Sequence, residues 1–69
     1  MKRVYFTIKA NGKHTYHFMD VEAKTAKEAC DLVKSKVYKS TGRNAFTPYC
    51  RPRNPKAWEI AIMEKATEF

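Results

Sequence analysis

Between Leu32 and Trp58 the chain carries seven cations (Lys34, Lys36, Lys39, Arg43, Arg51, Arg53 and Lys56) and no acidic residue. A field of one sign attracts phosphate backbones, acidic protein faces or anionic lipid. Lys36 and Lys39 also have a structural use, because they fall in the last turns of a predicted helix and complement the negative end of its dipole. That use does not extend to Arg51, Arg53 and Lys56, which alternate with prolines in Arg51-Pro52-Arg53-Asn54-Pro55-Lys56. Proline fixes φ and so lowers the entropy lost when a partner orders the loop. Arginine holds phosphate oxygens in a bidentate fork. Phe46 and Tyr49, a few residues upstream, offer ring faces on which bases can stack. Cations interleaved with aromatics suit single-stranded or structured nucleic acid. The candidate contact residues are therefore Lys34, Lys36, Lys39, Arg43, Phe46, Tyr49, Arg51, Arg53 and Lys56. The plain alternative is a solvated basic loop that its prolines merely stiffen.

Other chemistries find less support. His14, His17, Cys30 and Cys50 are possible metal ligands by type. Three residues apart on a predicted strand, however, the two histidines point to opposite faces. Cys30 lies on an apolar helix stripe, where cysteine serves as a small core residue. Cys50 with a histidine is the only candidate for nucleophilic catalysis, and no third group is placed to orient the base. Two glycines, Gly12 and Gly42, cannot make a glycine-rich phosphate loop. Neither an RNP-type aromatic signature, a GxxG helix-loop pair nor zinc-finger spacing is present. The expectation is a non-enzymatic binding module without metal, cofactor or small-molecule substrate.

The whole chain agrees with that expectation. Its 69 residues suffice for one domain, and a flat or grooved face is easier to build at this size than a deep cleft. Fourteen Lys and Arg against seven Asp and Glu give a net charge of +7. A hydrophobic content of 43% against 30% charged residues is that of a folded protein. No run approaches the roughly 20 apolar residues that span a bilayer. Met1-Lys2-Arg3 leads into a strand pattern and not into the apolar run of a signal peptide. Two cysteines are too few for a disulfide scaffold, so a cytoplasmic protein with free thiols is expected, with nucleic acid or an acidic or nucleoprotein surface as its partner and no membrane.

Residues Lys2–Ala10 alternate, with Val4, Phe6 and Ile8 on one face, and Asn11-Gly12 signals a hairpin turn into a second strand over His14–Glu22. Two registers are open. A two-residue loop pairs Ala10 with Lys13 and gathers Tyr5, Tyr16 and Phe18 on the face opposite Val4, Phe6 and Ile8. A bulged loop pairs Lys9 with Lys13 and brings Tyr16 and Phe18 into the core. The bulged form is preferred because it buries more apolar surface, with a second bulge near Met19-Asp20 to reset the alternation. Thr25-Ala26-Lys27-Glu28 reads as a capping box, in which the Glu28 carboxylate reaches back to the Thr25 N–H. A helix over Thr25–Thr41 follows, with Ala26, Ala29, Cys30, Val33 and Val37 as its apolar stripe and Gly42 as its stop. A short edge strand around Phe46–Cys50 would tolerate Pro48. Ala57–Lys65 alternates again and predicts a last strand, with Trp58, Ile60 and Ile62 on one face and Trp58 packed under the helix. The fold class is α+β: a β-hairpin, one helix and one or two further strands, with the helix on one face of an antiparallel-rich sheet.

The run Val21-Glu22-Ala23-Lys24-Thr25-Ala26-Lys27-Glu28-Ala29 closes a strand on an apolar-x-Ala step, caps a helix with threonine and opens it with Glu-Ala. In this, and in its hairpin-helix-strand order over residues 3 to 41, the chain resembles small phage-encoded proteins such as anti-CRISPR inhibitors. The resemblance implies an alternative role, a stoichiometric inhibitor that docks on a host nucleic-acid-handling complex. It supplies no binding residues and has no counterpart for residues 43–56.

Overall fold

The computed structural model describes residues 1–69. Strands β1 (Lys2–Ala10) and β2 (Lys13–Val21) form the hairpin. Asn11 and Gly12 adopt φ of 52° and 77°, the two left-handed positions that a tight two-residue turn needs. The strands pair without interruption from Lys2 opposite Val21 to Ala10 opposite Lys13. This is the two-residue register; the bulged alternative and the reset near Met19-Asp20 are not adopted. Tyr5 therefore faces Phe18, while Phe6 faces His17 and Val4 faces Met19.

Helix α1 (Ala26–Thr41) begins at Thr25, whose Oγ1 accepts from the Glu28 N–H at 3.2 Å. The returning Glu28 carboxylate accepts from the N–H of Lys24, at 3.3 Å, and not from that of Thr25. Gly42, at φ 73°, ends the helix by donating its N–H to the Tyr38 carbonyl. Ala29, Val33 and Val37, one turn apart, pack on Val4, Phe6 and Ile8 of β1, and Val21 and Ala45 close the cluster. Only nine residues are buried and all nine are apolar, so this small interface carries most of the hydrophobic stabilisation, about 2 kcal/mol for each large side chain.

Strand β3 (Phe46–Cys50) pairs antiparallel with β1 and forms one edge, as the sequence suggested, with Pro48 within it. Ala57–Lys65 is a helix, α2, and not the expected strand. Its true period is Glu59, Ile62, Met63 and Ala66, the positions that are buried or half-buried, whereas Trp58, Ile60 and Ala61 are exposed. The alternation of Trp58, Ile60 and Ile62 imitates a strand because a short apolar run does not distinguish the two periods. The helix start is marked instead by Glu59, whose carboxylate accepts from the Lys56 N–H at 2.9 Å. Strand β4 (Thr67–Glu68) then adds to β2 in parallel, giving the sheet order β3-β1-β2-β4.

The fold is α+β, with one helix on each side of the sheet. Helix α1 covers the Val4, Phe6 and Ile8 face. Helix α2 lies over the other face, packed against β2, and its Trp58, Glu59 and Ile62 line a groove with Thr7 of β1 and Tyr49 of β3. The chain thus crosses from β2 to β3 over one face and returns from β3 to β4 over the opposite one. Both connections join parallel strands, so they share one handedness. Phe69 folds back around the β2 edge, and its ring meets Phe6 and His17 on the α1 side at 5.6 and 5.8 Å.

Candidate functional site

A row of aromatic rings crosses the sheet on its α2 side. Tyr49 of β3 stacks on Tyr5 of β1 with centroids 5.8 Å apart, and Tyr5 lies 6.2 Å from Phe18 of β2. Arg3 ends the row, its guanidinium 4.2 Å from the centre of the Phe18 ring. Arg3 also grips Asp20, its cross-strand partner, in a fork of 2.8 and 3.2 Å. The pair raises the pKa of Arg3 and holds that of Asp20 below the usual carboxylate value. Both groups are exposed, so the bridge orients Arg3 and adds little stability.

Where this row meets α2 a groove of about 340 Å³ opens, lined by Thr7, Thr47, Tyr49, Trp58, Glu59 and Ile62. Thr47, Pro48 and Tyr49 all reach it, although successive residues of a regular strand point to alternate faces. The break in register between Tyr5 and Thr7 allows this, with Thr47 held at φ 47°. A β-branched residue is strained there, and such strain concentrates at binding and switch regions. Trp58, expected in the core beneath the helix, instead stands at the groove with 59% of its surface exposed. The groove is not uniformly apolar. Glu59 presents a half-buried carboxylate, with Oε1 engaged by the Lys56 N–H. The Tyr49 hydroxyl is shielded from solvent without a hydrogen-bond partner. Burial, then the nearby Glu59 carboxylate, pushes its pKa up.

The loop Arg51–Lys56 joins Tyr49 to Trp58, two residues that line this groove, while its own cations lie outside the lining. Arg51, Arg53 and Lys56 are exposed. None of them takes part in a salt bridge; the chain has one, Arg3 to Asp20. The other candidates are placed elsewhere. Lys34, Lys36 and Lys39 are exposed on α1, across the sheet from the groove, and Arg43 follows the helix stop. Phe46, 47% exposed, shares with Lys34 a separate hollow of about 220 Å³. The expected surface is thus divided. Tyr49 lines the groove and Arg51, Arg53 and Lys56 lie on the segment that joins it to Trp58, while Lys34, Phe46 and the end of α1 lie on the other side. Trp58 and Glu59, which complete the groove, were missed as site residues because their segment reads as a strand. The signal available was Glu59, three residues after Lys56, with Pro55 just before that lysine, the pattern of a helix start.

Among the possible metal and nucleophile residues the two cysteines are neighbours and the two histidines lie apart. His14 and His17 pair with Lys9 and Phe6, on opposite faces. No three His, Cys, Asp or Glu side chains gather in a group that could hold an ion. Cys30 and Cys50 are free thiols packed against the α1 side of the core. Burial, and then the neighbouring Cys50, raises the pKa of Cys30 and so lowers its share of reactive thiolate. No helix is long and apolar enough to cross a membrane. Compared with protein-family models, curated proteins and solved structures, the chain matches none.

Proposed function

We propose that the protein is a non-catalytic module that binds nucleic acid through the loop Arg51–Lys56 and the groove beside it. One observation carries this reading: three cations free of salt bridges lie on the segment joining two aromatic residues of a single groove. Phosphates would meet Arg51, Arg53 and Lys56, and exposed Trp58 would offer a ring face to a base. The net charge of +7 favours approach of a polyanion from any direction, and the loop fixes where it docks. Lys34, Lys36, Lys39 and Arg43 act at longer range on this reading, because the sheet stands between them and the groove.

The test compares wild type with the triple variant Arg51→Gln, Arg53→Gln, Lys56→Gln by titration against DNA and RNA oligonucleotides at one ionic strength. Three lost phosphate contacts should weaken binding at least tenfold while the melting temperature stays put, since Arg51 and Arg53 are exposed loop residues and Lys56 caps α2 through its backbone N–H, which glutamine keeps. Equal binding by the two proteins would reduce the loop to a solvated surface.

The second reading, a stoichiometric inhibitor docking on a host nucleic-acid-handling protein, draws on the exposed apolar side chains. Trp58 and Ile60 of α2 and Tyr38 of α1 show 59, 38 and 58% of their surface to solvent. Aromatic anchors of this kind dominate protein interfaces. Affinity for a protein partner would then fall with Trp58→Ala and depend less on salt.

A further inference from the structure

The groove carries a negative group at its wall and is continuous along the chain with a loop of positive groups, and this arrangement sorts the parts of a nucleotide. Glu59 would repel a phosphate placed in the groove, while Arg51, Arg53 and Lys56 attract one to the adjoining loop. An uncharged base would suffer no such repulsion, and Trp58 stands beside the opening with most of its surface free. Glu59 uses Oε1 to accept from the Lys56 N–H, which leaves Oε2 as an acceptor without a partner in the protein. An ionised carboxylate accepts only, so the ligand atom opposite it must donate. Among unpaired nucleobases, adenine, cytosine and guanine offer an exocyclic amine, whereas the N3–H of uracil and thymine lies between two carbonyl oxygens that a carboxylate repels. In a duplex the bases are stacked and paired, so only an unpaired base can enter such a groove.

From these points we infer that the groove between β3 and α2 receives one unpaired nucleobase bearing an exocyclic amine, with Trp58 stacked on its face and Glu59 accepting from the amine. The inference rests on the nucleic-acid reading above and adds to it strand state and base preference. Glu59 is the specificity-determining residue, Trp58 supplies affinity without regard to sequence, and the loop cations hold the flanking phosphates. The left-handed Thr47 belongs to the same device, because the break in register there brings Thr47, Pro48 and Tyr49 together on the groove wall.

The test is a set of titrations with fluorescently labelled oligo-A, oligo-C and oligo-U RNA at fixed salt, using wild type, Glu59→Gln and Trp58→Ala. Wild type should bind oligo-A and oligo-C roughly tenfold more tightly than oligo-U, the discrimination expected of a hydrogen bond to a charged group. Glu59→Gln should bring the three affinities together, because an amide both donates and accepts. Trp58→Ala should weaken all three by about tenfold, the size of one lost base stack. A second readout needs no variant. Trp58 is the only tryptophan, so stacking should quench the protein's indole fluorescence in step with binding. If the oligonucleotides bind without base preference, or bind without quenching Trp58, this inference is overturned and the nucleic-acid reading stands. If none of them binds wild type, this inference falls, and the nucleic-acid reading falls with it if DNA oligonucleotides fail to bind as well.

Discussion

His17 lies between Phe6 and Phe69, with ring centroids 5.8 Å from each. Its Nε2 meets the Thr15 hydroxyl at 2.8 Å, and its shielded Nδ1 has no partner. Burial lowers its pKa below the ordinary 6.5. The unfolded chain then binds more protons than the folded one over the interval between the folded pKa and 6.5, so stability rises with pH across it. The melting temperature should be level above that interval and fall as the pH is lowered below 6.5. His17→Phe should remove the fall. Parallel profiles for the two proteins would show that the imidazole titrates as in water. At this same scale the candidate site was half legible. Cations and prolines announce themselves by type, so Arg51, Arg53 and Lys56 stand out in the sequence. The environment of Glu59 does not, because the groove forms only when α2 crosses the sheet face that holds Tyr49.

Among the elements, α1 was read correctly because three independent signals agree: the Thr25 cap, the stripe of Ala29, Val33 and Val37, and Gly42. Thr25→Ala should cost about 1 kcal/mol by leaving the Glu28 N–H without its acceptor, lowering the melting temperature by roughly 4–8 °C. An unchanged melting temperature would mean that the cap contributes nothing. The error over α2 had a consequence one element away. With a single helix, the face carrying Tyr5, Tyr16 and Phe18 would be bare, and a bulge that returned the β2 aromatics to the core looked favourable. With α2 on that face those rings are already half-buried, so the regular two-residue turn prevails. Hairpin register could not be settled locally because it depends on whether both sheet faces are covered. The two helices should also answer differently to truncation. Val33→Ala, at a fully buried position, should cost about 2 kcal/mol, whereas Trp58→Ala should change stability by no more than about 0.5 kcal/mol. Chemical denaturation of both variants checks this; a large loss at Trp58 would place its ring in the core after all.

Over the whole molecule, the sheet acts as a partition. The core against α1 holds eight of the nine buried residues and supplies the stability. The opposite side keeps an aromatic row, a groove and an exposed tryptophan beside a loop of free cations. A chain that buries so little has a small stability margin, yet on the α2 side it leaves a strained Thr47, an unpaired Tyr49 hydroxyl and exposed Trp58. Structural economy would favour removing all three, so their presence together agrees with a surface shaped for a partner. The central claim is that Arg51, Arg53 and Lys56 neutralise phosphates, and the most direct measurement is the slope of log affinity against log salt. Each phosphate contact on a single strand contributes a slope of about 0.7. Titrating one single-stranded oligonucleotide at several salt concentrations should therefore give the Arg51→Gln, Arg53→Gln, Lys56→Gln variant a slope shallower than wild type by about two units. Equal slopes for the two proteins would contradict the account, whatever their affinities.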